Sequence, residues 1–444
     1  MNLRLSAGFA ALLFMCVACN GTGSEPTESG AVAPVATDRP TVEVVFDEGR
    51  YRLWRNGEPY EVRGAGIEYG DLSVFAAHGG NSFRTWRTDN AERSGQEVLD
   101  EAARNGLTVA MCIDIGRERL GFDYDDVDAV AAQLEFARGE VEKYKDHPAL
   151  LTWIIGNEPN LQFKNPRVFD AINDISTMIH ELDGNHPTTT ALAGFSEELA
   201  GLIDQRAADL DFVSIQMYGD IVHLPTLLAK IGFDKPYFVT EWGAIGHWEV
   251  GKTEWGAPIE QDSSAKADNY MKSYEVAIAS DPQRVLGSFV FLWGQKQERT
   301  PTWYGMFLPT GEKTQTIDVM HNIWTGAWPD NRSPQIESIL LDGRTATDSI
   351  ALAANEQVAA HVAASDPDTD ELSYRWEVVP ESAATQEGGD SEEIPLVIAG
   401  LVDDASRRAV TVTAPAEEGA YRLFVYVYDG NGSAGHANIP FYVR

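Results

Sequence analysis

Leu150-Leu151-Thr152-Trp153-Ile154-Ile155-Gly156-Asn157-Glu158-Pro159 is the stretch on which the reading of this chain turns. Its first six residues form a nearly continuous apolar run without polar alternation. A strand covered on both faces requires such a run, and parallel sheets flanked by helices supply that setting. The run stops at glycine, and asparagine, glutamate and proline follow. Asn157 and Glu158 would therefore stand at the C-terminal end of the strand, where parallel α/β sheets place their functional side chains.

Working outward, similar runs recur at 61–67, 81–86, 107–114, 187–193, 210–217, 236–241 and 285–294. Amphipathic helical patterns lie between them, at 96–104, 127–144, 168–182, 196–203 and 264–280. Eight strands alternating with helices imply right-handed crossovers and a TIM (β/α)8 barrel, expected over residues 41–328. A doubly wound open sheet is the alternative. It would call for a glycine-rich nucleotide loop after the first strand, and Gly64-Ala65-Gly66-Ile67-Glu68-Tyr69 lacks the third glycine. A short hairpin, Val42–Phe46 with Tyr51–Trp54, precedes the barrel, and the turn Asn56-Gly57 follows it.

Val239-Thr240-Glu241-Trp242-Gly243 repeats the pattern of an apolar strand ending in a glutamate. The two glutamates close strands four and seven, far apart in sequence yet able to meet across a barrel mouth. Glycosidic bond cleavage needs such a pair: one carboxyl protonates the leaving oxygen, the other attacks the anomeric carbon or activates water. Proximity also separates their roles, because the charge on one keeps its neighbour protonated.

Asn-Glu-Pro after strand four and Glu-Trp-Gly after strand seven resemble the signature of clan A retaining glycoside hydrolases. The resemblance covers roughly residues 42–328 and is nearest the barrel domain of family 2, with family 5 next. It implies that Glu158 is the acid/base, that Asn157 contacts the sugar 2-hydroxyl and that Glu241 is the nucleophile. Gly80-Asn81-Ser82-Phe83-Arg84 matches the strand-two motif whose arginine steadies the nucleophile, which gives Arg84 that role. Tyr218 matches the strand-six tyrosine that hydrogen-bonds the nucleophile, and Trp293 the strand-eight aromatic under the donor subsite. Gln216 stands where many relatives carry asparagine, a departure expected to alter sugar selection. In place of the jelly-roll and sandwich domains that precede the barrel in full family 2 enzymes, this sequence has the hairpin.

Other strand ends offer Glu68, Tyr69, Trp86, Asp114 and Arg117, with Trp242 beside the candidate nucleophile and Gln295, Lys296, Trp303 and Tyr304 after strand eight. Aromatic faces stack on pyranose rings, so a poly- or oligosaccharide substrate, β-glucan favoured, is expected. Hydrolysis or transglycosylation at this site, or glycan binding without catalysis, are the functional readings. No metal motif, P-loop or Gly-x-Ser-x-Gly elbow occurs, so no cofactor and no metal are expected.

Past Trp328 the composition changes. Residues 329–334 read as a linker and 335–444 as an immunoglobulin-like β-sandwich, with strand-like runs at 357–362, 372–379, 409–412, 421–428 and 439–443. The module resembles those of the polycystic-kidney-disease type. Asp366, Asp368 and Asp370 read as an acidic interstrand turn; a calcium site is the other reading, although Glu371 replaces the turn glycine of an EF-hand.

The 444 residues carry 68 acidic against 34 basic side chains, a net charge of −34 that argues against nucleic-acid partners. Residues 1–19 resemble a bacterial lipoprotein signal: Arg4, an apolar core, then Ala18 before Cys19, the candidate for lipidation. A plain secretory signal is the alternative. Residues 20–40 read as a flexible tether. An exported, membrane-anchored monomer is expected, on the periplasmic or cell-surface side. Cys112, within an apolar run, reads as a buried small hydrophobe. Labelled palmitate should enter the full chain and be lost with Cys19→Ser; labelling that survives the substitution would reject Cys19 as the anchor.

Overall fold

The computed structural model describes residues 40–385 and 388–444. The signal, Cys19 and all but the last residue of the tether lie outside the described residues. Strands β1 (Val42–Asp47), β2 (Arg50–Arg55) and β3 (Glu58–Tyr60) form an antiparallel meander. Asn56-Gly57 thus joins two strands of this sheet, whereas the hairpin expectation had it follow the last one.

Eight parallel strands then close into a barrel: β4 (Val62–Gly66), β5 (Ser82–Arg84), β6 (Thr108–Ile113), β7 (Leu150–Asn157), β8 (Thr188–Ala193), β9 (Val213–Gln216), β10 (Tyr237–Glu241) and β11 (Val285–Val290). Strand β6 shows why both faces are apolar. Val109, Met111 and Ile113 pack into the layer beneath the helices, while Ala110 and Cys112 fill the barrel interior. Burial in that interior pushes the Cys112 thiol up to about 12. Val42 and Leu53 of the meander join the interior cluster.

The surrounding helices are α1 (Leu72–Ala77), α2 (Gly95–Arg104), α3 (Val127–Tyr144), α4 (Arg167–Leu182), α5 (Glu197–Arg206), α6 (Leu224–Ile231), α7 (Ser263–Ser273) and α8 (Gln315–Thr325). Their starts are written in side chains. Ser94 and Glu97 form a capping box on α2, and Asp126 and Asp262 accept from the first-turn amides of α3 and α7. Helix α7 continues as a π turn over Tyr274–Ile278.

After the barrel come β12 (Gln335–Leu341), β13 (Ala351–Leu352), β14 (Gln357–Ser365), β15 (Ser373–Pro380), β16 (Ala409–Thr413), β17 (Gly419–Tyr428) and β18 (Ala434–Val443). They make two facing sheets, β12-β14-β16 and β13-β18-β17-β15, as in an immunoglobulin-like sandwich. Strand β17 is buried on both faces. Leu423, Val425 and Val427 enter the sandwich core, and Phe424 and Tyr426 pack with Leu308. The acidic turn is closed by backbone: Asp366 Oδ1 accepts from the amides of Asp368 (2.8 Å) and Asp370 (3.1 Å). Asn431 donates to Asp370 and Asn331 to Asp429, each at 2.8 Å, while Asp366 Oδ2 is buried without a hydrogen-bond partner among the described residues.

A buried polar network joins sandwich to barrel. Arg422 on β17 grips Glu381 (2.7 and 3.1 Å) and Asn438 Oδ1 (2.6 Å) and donates to the Pro258 carbonyl (2.9 Å). Asn438 donates to Glu260 Oε2 at 2.6 Å, and Glu260 also accepts from Lys266, Thr300 and Thr302. Burial pushes the Glu260 carboxyl up, but Lys266, His436 and Arg422 outweigh it and hold it at about 2. Its contribution to stability is therefore present above the unfolded carboxylate range and lost as pH falls toward 2. Glu260→Ala strands the buried Lys266 ammonium and should cost about 3–5 kcal/mol in denaturant unfolding at pH 7. A loss below about 1 kcal/mol would contradict the buried pairing.

Candidate active site

The C-terminal strand ends open into a cleft of about 600 Å³. Glu241 closes β10 at 5% exposure, and three side chains from two other strand ends converge on it. Arg84 Nη1 reaches Oε1 at 3.1 Å, Trp86 Nε1 donates to the same oxygen at 2.9 Å, and the Tyr218 hydroxyl donates to Oε2 at 2.7 Å. Arg84 is fully buried. Its remaining donors meet the Thr85 carbonyl and, at 2.8 Å, Asn157 Oδ1. Desolvation, with the charge of Glu241 second, raises the Tyr218 hydroxyl well above its usual range, so it stays a donor.

Asn157 Oδ1 also accepts from Gln216 Nε2 at 2.9 Å. With both contacts on the oxygen, the amide nitrogen is left to donate into the cleft. Glu158 follows at a backbone φ of +53°, after Gly156 at +76°. These left-handed positions break the strand's two-residue alternation, and the second is costly for a side-chain-bearing residue. The Glu158 amide donates to the Ala191 carbonyl (2.8 Å), which fixes the turn. No side chain among the described residues donates to the Glu158 carboxyl. Burial and then the nearby charge of Glu241 push it up to about 8, against the pull of Arg84, Arg119 and Arg117.

Glu68, Trp86, Asn157, Tyr218 and Trp293 all line this cleft with the two glutamates. Glu68 pairs with Arg87 at 3.1 Å. Gln216, 3% exposed, reaches the site only through Asn157. Two expectations are corrected. Trp242 is fully buried against Tyr270 and Tyr274, away from the cleft, because neighbours on a strand point to opposite faces. Asp114 is off the cleft wall and pairs with Arg117, which is on it, at 2.9 Å.

Of the further candidates, Tyr69, Arg117, Gln295, Lys296 and Tyr304 are on the wall. Sequence reasoning missed Trp248, Phe291 and a stretch of the sandwich, Gly388–Ser391. Trp248 is half exposed and edge-on to Tyr218. Its loop is drawn in by Glu249, whose carboxylate accepts from the amides of Gly219, Asp220 and Gly246 at 2.7–2.9 Å. Its signal was a second tryptophan six residues beyond Trp242.

An eight-stranded barrel with this glutamate pair over an aromatic-walled cleft has the arrangement of a clan A glycoside hydrolase. Residues 65–274 match the family model for the glycosyl hydrolases family 2 TIM barrel domain. The match includes Arg84, Asn157, Glu158, Tyr218 and Glu241 and ends before Trp293. Among solved structures the chain is similar to Bacteroides uniformis β-glucuronidase 2 covalently bound to cyclophellitol-6-carboxylate aziridine. Identity is 14% over 91% of this chain and 48% of that one, with a TM-score of 0.51. It is also similar to Bifidobacterium dentium β-glucuronidase complexed with coumarin-3-O-glucuronide (19%, 66% and 50%, TM-score 0.50). Ruminococcus gnavus β-glucuronidase is a third (15%, 65% and 53%, TM-score 0.51). At these identities the likeness speaks for the fold, and the chain spans about half the length of each structure. No curated protein matches the chain.

The raised Glu158 carboxyl has a stability consequence. A carboxyl held protonated in the fold but ionised when unfolded costs stability as pH rises from the ordinary carboxylate range toward 8. Glu158→Gln should therefore stabilise the protein at pH 7, by on the order of 2 kcal/mol. The gain should vanish below pH 4. Equal effects at both pH values in thermal or denaturant unfolding would show that Glu158 is not held protonated.

Proposed function

We propose that the chain is a retaining β-glycosidase acting by double displacement on β-linked oligo- or polysaccharide, with β-glucan favoured. The observation that carries this reading is the asymmetry of the two glutamates. Glu241 meets three donors, one of them a buried guanidinium, whereas Glu158 meets no side-chain donor among the described residues and keeps its proton near neutral pH. In the first step Glu158 gives its proton to the glycosidic oxygen as a Glu241 oxygen bonds the anomeric carbon and the bond to the leaving group breaks. In the second step Glu158 takes a proton from water, the water oxygen bonds the same carbon, and Glu241 is released. A sugar hydroxyl in place of water would give transfer.

A neutral sugar is favoured over a uronic acid by the cations on the wall. Arg87 already pairs with Glu68, Arg117 with Asp114 and Lys296 with Glu298, at 2.8–3.1 Å. A uronate carboxylate would have to displace one of those partners. β-Glucuronides, for which the similar β-glucuronidases are named, are therefore the second donor class. The expected signal and Cys19 anchor would put the activity outside the cytoplasm on a membrane-tethered enzyme.

Glu241→Ala should lower turnover by about a thousandfold or more. Azide should restore it and give an α-glycosyl azide from a β-linked aryl glycoside. Unchanged turnover would remove Glu241 as the nucleophile, and rescue giving the β-azide would make Glu241 the acid/base instead, with the covalent bond formed by another residue. In a panel of β-glucosides, β-galactosides, β-mannosides and β-glucuronides, kcat/KM should be highest for a neutral sugar.

A further inference from the structure

The longest connection in the sandwich, between β15 and β16, does not stay with its own domain. Gly388, Gly389, Asp390 and Ser391 are part of the cleft wall, facing the barrel's own Arg117, Glu158 and Lys296. Their contacts lie on opposite sides of the barrel mouth. On one side Asp390 takes both nitrogens of Arg119, at 2.9 and 3.1 Å, in the loop after the third barrel strand. Gly388 lies against Leu161, in the loop after the fourth. On the other side, after the eighth strand, Lys296 donates to the Gly389 carbonyl at 2.8 Å. Beside it, Glu392 accepts from the Arg299 amide at 2.7 Å and pairs with its guanidinium.

The contacts are built into the fold. Arg119 and Glu392 side chains are 9% and 1% exposed, and their partners Asp390 and Arg299 are 32% and 11% exposed, so each pair keeps one member out of solvent. Gly388 and Gly389 both adopt a left-handed φ, +72° and +73°. A Cβ at Gly388 would come within 2.8 Å of Leu161, and one at Gly389 within 2.7 Å of the Lys296 ammonium. Only glycine lets backbone approach the rim this closely. The buried Glu260–Asn438–Arg422–Glu381 network holds the root of the same connection, since Glu381 directly follows β15.

We propose that Gly388–Ser391 is a substrate-contacting strap that crosses the barrel mouth and turns the cleft into a pocket, so that the site takes the end of a glycan chain. This rests on the glycosidase reading and adds what selects the substrate. A backbone fixed at both rims obstructs a polysaccharide that would otherwise run across the mouth, and it gives a terminal sugar a polar wall opposite the aromatic one. Ser391 is the contacting side chain. Asp390 is a positioning residue that acts through Arg119.

The test uses the full chain with neutral β-linked oligosaccharides of two to six units and the matching soluble polymer. The wild type should release one short product stepwise from chain ends while polymer viscosity barely falls. Ser391→Trp should lower kcat/KM on the tetrasaccharide about tenfold or more with its melting temperature kept. Asp390→Ala should raise KM several-fold with the larger effect on KM than on kcat, and charge-retaining Asp390→Glu should recover part of it. Early viscosity loss with random internal products, or Ser391→Trp with wild-type kcat/KM, would overturn the strap. Absence of turnover by the wild type on every member of the series would overturn the glycosidase reading itself, and the strap with it.

Discussion

The contact on which the rest of the site depends is that between Arg84 and Glu241. A guanidinium with no solvent exposure must have its donors met by protein, and here they are met by a carboxylate, an amide oxygen and a backbone carbonyl. That requirement draws the ends of four strands into register. β5 brings the arginine, β7 brings Asn157, β9 brings Gln216 to hold Asn157, and β10 brings Glu241. The position of the proposed nucleophile is thus set by the electrostatics of a neighbour that touches no substrate. Loss of either charge strands the other in a dry site, which couples the catalytic arrangement to the stability of the barrel.

The sandwich shares in this economy of burial. Strand β17 has no solvent face: its alternate residues enter the sandwich core and the barrel contact. Such a strand reads as an unbroken apolar run, and Tyr421–Tyr428 does, apart from Arg422, the residue that carries the interface network. Two domains welded by buried, mutually satisfied polar groups move as one body more readily than two joined by a linker. A sandwich loop can then serve as a fixed part of a cleft in the neighbouring domain.

Much of the barrel was legible because its physics is local. Apolar runs bounded by turn residues marked all eight strands, and amphipathic patterns marked α2, α3, α4, α5 and α7. Helices α1, α6 and α8 were missed for local reasons as well. The first two are short, and Gln315-Thr316-Ile317-Asp318-Val319 is rich in residues with weak helix preference. Within the site, sequence located strand ends but not the direction of side chains. Trp242 fell to the alternation that would have excluded it, given that its neighbour Glu241 points inward. Asn157 and Glu158 escape the same rule only through the left-handed backbone at Gly156 and Glu158. The strap was invisible because nothing in Gly388-Gly389-Asp390-Ser391 says which distant loops it meets; the partners Arg119 and Lys296 are set by tertiary docking alone.

The strap also bears on the chemistry through charge. Arg119 lies close enough to Glu158 to pull its carboxyl downward, in opposition to burial and to Glu241. An unpaired Arg119 would work against the proton that Glu158 must hold. Asp390 answers this by engaging both terminal nitrogens of that guanidinium, and Arg119 in turn holds the Asp390 carboxyl below its usual range. Even so paired, Arg119 still pulls the Glu158 carboxyl down, and burial and Glu241 outweigh it. A residue of the sandwich therefore holds the guanidinium that acts on the barrel's acid, so the contact at the cleft wall and the charge beside Glu158 are set together.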